Sequence, residues 1–257
     1  MHFPDRAPMK KPKVLILHAP GTNRDGDLAA AISKAGGEAI TLPLSLLRAN
    51  KAPDASYGML ALPGGFSYGD ALGAGRLFAL DLQTWFSDFM QSFIESGRPV
   101  IGICNGFQAL VKGGYLPGGS RQATLAANES GRFECRWVTL RANPTNSSPW
   151  LEGLDPILCP VAHGEGRFLC GENQELPPDQ VAFCYAHSDG RLAEGAYPAN
   201  PNGSIHDIAG ITNRAGNVLG LMPHPEDHIH PFQHPHWARG SSGSMGLKLI
   251  ENGLKMI

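Results

Sequence analysis

Arg98 to Val111 reads RPVIGICNGFQALV: a short apolar run, a Gly-x-Cys-x-Gly turn, then a helical pattern. Gly102, Cys104 and Gly106 are spaced for a sharp strand-to-helix turn that presents a nucleophile, with glycines where Cβ atoms would clash. A cysteine at that point sits at a strand end and faces a helix N-terminus, whose unpaired N–H groups stabilise a thiolate. Such a nucleophile needs a base, and the base needs an orienting group. His224-Pro225-Glu226 offers both. Residues two apart in an extended segment point the same way, so Glu226 can hold one ring nitrogen of His224 while the other faces Cys104. Pro223 and Pro225 are expected to keep that segment extended. The attacked carbonyl becomes a tetrahedral oxyanion and needs donors. The N–H of Asn105, just after the nucleophile, is one; the N–H of Gly65 or Phe66, in the loop that follows Pro63-Gly64, is the other. The expected chemistry is attack on a carbonyl through a thioester on Cys104.

The surrounding elements place these turns. Lys13–His18 is a short apolar strand, followed by a Gly21-Thr22-Asn23 turn and a small-residue helix from Asp25 to Ala35. Glu38–Leu42 and Gly58–Leu62 read as further strands, the latter running into Pro63-Gly64-Gly65. Leu77, Leu80, Leu82, Trp85, Phe86, Phe89 and Phe93 are spaced for one face of a long helix from about Arg76 to Ser96. Strands alternating with helices predict an α/β fold: a central, mostly parallel sheet with helices on both faces. In such sheets the site lies at the carboxyl ends of strands, which is where the Gly21, Gly64 and Cys104 turns fall. The second half differs. Phe133–Arg141 and Val181–Ala186 read as strands with no helix between them, Asn143–Pro149 as a turn-rich loop, and extra antiparallel strands are expected there. Val218–Met222 is a last strand leading into Pro223-His224-Pro225-Glu226, and a helix near Ser244 to Asn252 closes the chain. A single domain is expected over residues 13–257, after a flexible lead-in over residues 1–12.

Composition narrows the function classes. The 257 residues carry 21 Lys and Arg against 23 Asp and Glu, a net charge of −2, which favours neither nucleic acid nor an anionic membrane as partner. No run of 18 apolar residues is present to span a bilayer, and the N-terminus lacks the apolar core of a signal peptide. Five cysteines with no Cys-x-x-Cys pair argue against a disulfide framework or a structural zinc site, and point to the reducing cytoplasm. Histidines 224, 228, 230, 234 and 236 are bunched, but prolines interrupt them and no helical HExxH spacing occurs, so no metal site is expected.

Cys104 within GICNGFQ, Pro63-Gly64-Gly65 upstream and His224-Pro225-Glu226 downstream together resemble a class I, triad-type glutamine amidotransferase of flavodoxin-like fold. GGFSYGD at Gly64 to Asp70, HGEGRF at His163 to Phe168 and PHPEDHIHPFQHP at Pro223 to Pro235 resemble more closely the glutaminase subunits of phosphoribosylformylglycinamidine synthases, of purine biosynthesis. The likeness runs from Val14 to about Gly253. It implies that Cys104 is the nucleophile, His224 the base and acid, and Glu226 its orienter. It implies that Gln108 helps hold the substrate L-glutamine, and that His163, Glu165 and Gly166 of HGEGRF line the same pocket, with Glu165 meeting the substrate ammonium. It further implies a synthetase partner and a small accessory subunit of the same complex. The chain has no GxxxxGK[ST] loop, so ATP and Mg are expected on the synthetase and no cofactor on this chain. One departure stands out: members of the family often carry a more basic residue where Leu72 or Gly73 stands, and Arg76 is expected to replace that charge.

Two rivals remain at this stage. Elbow-cysteine peptidases and chaperone-like hydrolases of related fold usually place a histidine directly after the cysteine, whereas Asn105 stands here. A non-catalytic regulatory subunit is disfavoured because every triad element is present.

Overall fold

The computed structural model describes residues 11–49, 56–119, 123–171, 175–241 and 245–257. Most of the lead-in expected over residues 1–12 lies outside them, as does Ser244. Among the described residues eleven strands form: β1 (Lys13–His18), β2 (Glu38–Pro43), β3 (Met59–Leu62), β4 (Val100–Ile103), β5 (Ala123–Ala126), β6 (Glu134–Ala142), β7 (Ile157–His163), β8 (Arg167–Cys170), β9 (Val181–Ala186), β10 (Ile208–Thr212) and β11 (Val218–Leu221). The α-helices are α1 (Asp25–Lys34), α2 (Leu44–Ala49), α3 (Arg76–Trp85), α4 (Ser87–Glu95), α5 (Asn105–Lys112) and α6 (Leu247–Lys255).

Nine strands make one sheet in the order β2-β1-β3-β4-β11-β10-β9-β6-β7, and β5 pairs with β8 in a separate two-stranded ribbon. From β2 to β11 every pairing is parallel; from β11 to β7 every pairing is antiparallel. The antiparallel strands expected in the second half therefore extend the main sheet itself. In the parallel half β3, β4 and β11 are buried at every residue, as continuous apolar strands covered on both faces must be. Helix α1 packs with α6, and α3 packs with α5, which lies over β3, β4 and β11.

The long helix expected from Arg76 to Ser96 is two helices that meet at Phe86, whose φ of −127° and ψ of 13° are non-helical. The buried stripe explains the break. Phe78, Leu82, Phe86 and Met90 are buried and four apart, so in one straight helix the stripe would swing by about 40° at each step. The break at Phe86 turns it back onto the core. Leu80 and Trp85, read as part of the buried face, are about half exposed.

Close packing of helix on strand fixes the elbow. A Cβ on Gly106 would lie 2.0 Å from the Leu62 carbonyl oxygen, and one on Gly102 would lie 2.8 Å from the Gly106 oxygen. Gly106→Ala must push α5 off β3, so we expect it to cost about 3 kcal/mol, a fall of about 6–12 °C in thermal midpoint. An unchanged melting curve would contradict so close an approach.

Candidate active site

Cys104 ends β4 and begins α5 with φ 49° and ψ −104°, a strained conformation for a residue with a side chain. Its N–H donates to Leu221 O at 2.8 Å and its carbonyl accepts from Gln108 N–H at 2.9 Å, so strand β11 and helix α5 hold it from both sides. The backbone is thus forced into the turn, and Sγ stands at the head of the helix, 3.7 Å from Ala162 O.

His224 and Glu226 follow β11, the strand hydrogen-bonded beside β4. The segment is not extended as expected. Pro225–Asp227 is a single 3₁₀ turn, closed by Asp227 N–H on His224 O at 3.2 Å. Proline suits its first position because the missing N–H has no role there. The turn still brings the two side chains together: His224 Nδ1 lies 2.7 Å from Glu226 Oε1, both groups buried. Burial opposes charge on the His224 ring. The Glu226 carboxylate, and after it Cys104, outweigh that penalty and hold His224 well above the usual imidazole range. Gly64 lets the loop after β3 lie against this ring, since a Cβ there would be 2.6 Å from His224 Cε1.

A cavity of about 130 Å³ opens beside Cys104, lined among others by Gly65, Phe66, Asp70, Gln108, His163 and Glu165. Larger hollows, of about 340, 450, 500 and 730 Å³, are lined by neither Cys104, His224 nor Glu226. Gly65 has φ +124°, and its α-carbon faces Asn23, so the Gly21-Thr22-Asn23 turn buttresses this wall. Phe66 stacks on Phe133 at the rim, with ring centroids 6.3 Å apart. Asn105 is the first residue of α5, and its buried side chain binds Asp70 Oδ1 at 3.1 Å, Gln108 Oε1 at 3.1 Å and the Ser67 hydroxyl. Gln108 lines the cavity but its carboxamide is engaged at both ends, the second by donation to Glu165 O at 2.6 Å.

Glu165 lies on the cavity wall with its carboxylate paired to Lys112 Nζ at 3.2 Å and accepting from Ala74 N–H. Burial, then repulsion from Glu165, push Asp70 above the ordinary carboxylate range. The cation beside Gly73 is Lys112 of α5, 3.7 Å from where a Gly73 Cβ would be, while Arg76, expected from sequence to replace the missing charge, is exposed. His163 is buried on the same wall, whereas Gly166 sits behind its ring and outside the cavity lining: a Gly166 Cβ would lie 2.3 Å from His163 Cε1. Sequence reasoning singled out none of Asp70, Lys112, Asn128 and Asn202: Asp70 closes the GGFSYGD segment and Lys112 ends α5, but nothing local marks either as part of this wall, and the two asparagines stand in loops far from Cys104.

His224, Glu226 and Asp227 bring one potential ligand atom each within 4.8 Å of one another. His224 Nδ1 is engaged with Glu226 Oε1 and Asp227 with Arg24 at 3.1 Å, while Glu226 Oε2 is buried without a hydrogen-bond partner. Among the described residues no helix is long and apolar enough to cross a membrane.

Comparison with known proteins adds four findings. The profile of the CobB/CobQ-like glutamine amidotransferase domain matches residues 11–257. The chain is 49% identical over 241 residues to phosphoribosylformylglycinamidine synthase subunit PurQ of Treponema denticola, covering 85% of this chain and 89% of that one. The same-named subunit of Dehalococcoides mccartyi is 43% identical over 252 residues, 96% of this chain and 98% of its own. Among solved structures, a chain of PurLQS from Thermotoga maritima superposes with a TM-score of 0.74 at 30% identity, over 96% of this chain and 99% of that chain.

Proposed function

The chain belongs to the CobB/CobQ-like glutamine amidotransferase family, and from that premise we propose that it is the glutaminase subunit of a phosphoribosylformylglycinamidine synthase. It hydrolyses L-glutamine to glutamate and ammonia and hands the ammonia to a synthetase partner. That partner spends ATP, with Mg, to turn formylglycinamide ribonucleotide into the amidine in the cytoplasm, within a complex that includes a small accessory subunit. The observation that carries this reading is a strained cysteine at a strand–helix turn, beside a histidine that is itself held 2.7 Å from a buried glutamate, with Gly64 packed against both.

The chemistry follows from that arrangement. The Cys104 thiolate attacks the side-chain carboxamide carbon of glutamine. The N–H of Asn105 and that of Gly65 or Phe66 meet the charge that forms on oxygen. His224 gives its proton to the departing nitrogen, the C–N bond breaks, and ammonia leaves a thioester on Cys104. Water then attacks the thioester while His224 takes its proton, and glutamate is released. Asp70 and Glu165 against Lys112 leave one negative charge at the wall, complementary to the substrate ammonium. At about 130 Å³ the cavity suits a small metabolite and not a peptide.

Free ammonia is wasteful, so the site should idle until the synthetase is loaded. The loop from Gly64 onward can gate it. Tyr68, Asp70 and Leu72 hold positive φ between Gly65, Gly69, Gly73 and Gly75, which do the same; non-glycine residues there store about 1–3 kcal/mol each. Docking of the partner turns the Gly65 or Phe66 N–H toward the substrate carbonyl. We expect ammonia release from L-glutamine to be at least about 10²-fold faster in the loaded complex than in the isolated chain. Equal rates would remove the gate and leave the triad; no release in either would sink the proposed function.

A further inference from the structure

The turn from His163 to Gly166 leaves β7 and forms one wall of the cavity beside Cys104, and two asparagines distant in sequence grip it. Asn128 donates from Nδ2 to Arg132 O at 2.8 Å and to His163 O at 2.7 Å, and its Oδ1 accepts from Gly166 N–H at 2.9 Å. Those bonds fix which end of the amide is oxygen. The same Oδ1 lies 3.0 Å from His163 Nδ1, so the ring proton sits on Nδ1. Asn202 is fixed likewise. Its Oδ1 accepts from the N–H and hydroxyl of Ser204 at 3.1 and 2.7 Å, and its Nδ2 donates to Gly166 O at 2.8 Å. That Nδ2 lies 3.5 Å from His163 Nε2. A proton on Nε2 would meet a donor where it needs an acceptor. All three residues are at least 97% buried, so water cannot relieve the conflict.

We infer that Asn128 and Asn202 are positioning residues that fix His163 as the neutral Nδ1–H tautomer, leaving His224 to carry the positive charge beside Cys104. The inference rests on the proposed function. Its physical logic is that the thiolate and the His224 imidazolium stabilise each other, and a second imidazolium in the same wall would repel the first. Burial, then the charge of His224, hold His163 down to about 4. The other ionisable groups facing it are already committed. Tyr185, from β9, accepts from Asn202 Nδ2 at 3.0 Å. Glu134, opposite His163 on β6, is paired to Arg136 at 2.8 Å. Glu165 is paired to Lys112.

Nitrogen-resolved NMR of the histidine rings in the full chain reads the tautomer directly. We expect Nδ1 protonated, Nε2 bare, and no titration of His163 from about pH 5 to 9. Asn202→Asp sets a carboxylate at Nε2 and should raise the His163 midpoint by about 1–3 units. In the complex with the synthetase, kcat/KM for glutamine should then fall about tenfold below the new midpoint and recover above it. Asn128→Asp should act in the same direction from Nδ1, which guards against one variant failing to fold. A wild-type ring protonated on Nε2, or titrating near neutrality, would overturn the inference. So would a uniform loss of rate at every pH in both variants, the mark of a merely structural role. A wild-type complex that releases no ammonia from glutamine would refute the proposed function, while the ring measurement would still decide the tautomer.

Discussion

Cys104→Ala is expected to lose glutamine-dependent product formation by about four to six orders of magnitude, the scale on which a triad nucleophile matters, while its complex still makes product from ammonium salts. The retained ammonia reaction separates a chemical defect from a folding defect. The same residue should take up a glutamine-analogue electrophile. Cys159 is fully buried, and burial, then Glu226 and Asp227, push its thiol well above the usual range. Burial raises Cys184 to about 11, and raises Cys170 as well. Cys135 is exposed and serves as the internal control for access without activation. Peptide mapping that finds the label chiefly on Cys135 would sink the assignment of Cys104.

His224→Ala should be nearly as damaging as loss of the nucleophile, and Glu226→Gln less so, by about 10⁴ or below. Glutamine can still accept from Nδ1–H, but it brings no charge to the imidazolium. The sign of the pH effect follows. His224 keeps its proton to unusually high pH because Glu226 and Cys104 outweigh burial. Without the carboxylate, burial is opposed by Cys104 alone, so the proton leaves at lower pH and the alkaline limb of kcat/KM moves down. A Glu226→Gln enzyme with wild-type rate and an unmoved alkaline limb would remove Glu226 from the triad.

The elbow was legible in sequence because its demands are local. Gly102 and Gly106 each meet backbone or core within a few residues or on the next strand, where a Cβ would clash, and Cys104 stands between them. The pairing of His224 with Glu226 was legible too, though the sequence argument reached it through an extended segment where the chain makes a 3₁₀ turn. The antiparallel half was read incompletely for reasons that can be named. In β7, Ile157, Cys159, Val161 and His163 alternate inward, but Pro160 interrupts the pattern. That proline is tolerated because β7 is the edge of the sheet. In β10 every residue is buried, so no alternation marks it, and Gly210 stands within it against Gly220. Asn128 and Asn202 carried no signal, since a loop asparagine gains its meaning from partners that only the fold brings near.

The place of β11 in the sheet has a consequence for the order of assembly. Cys104 belongs to the parallel half and the His163 wall to the antiparallel half, while His224 and Glu226 ride on the strand inserted between β4 and β10. His224 follows Cys104 by 120 residues, so their contact is among the long-range ones that a folding chain makes late. A nascent chain that has not yet placed β11 lacks both the Leu221 carbonyl that holds Cys104 in its turn and the base that fires it. Ammonia release thereby becomes a property of the finished molecule alone, and the activity of a preparation reports how much of it has closed that central seam.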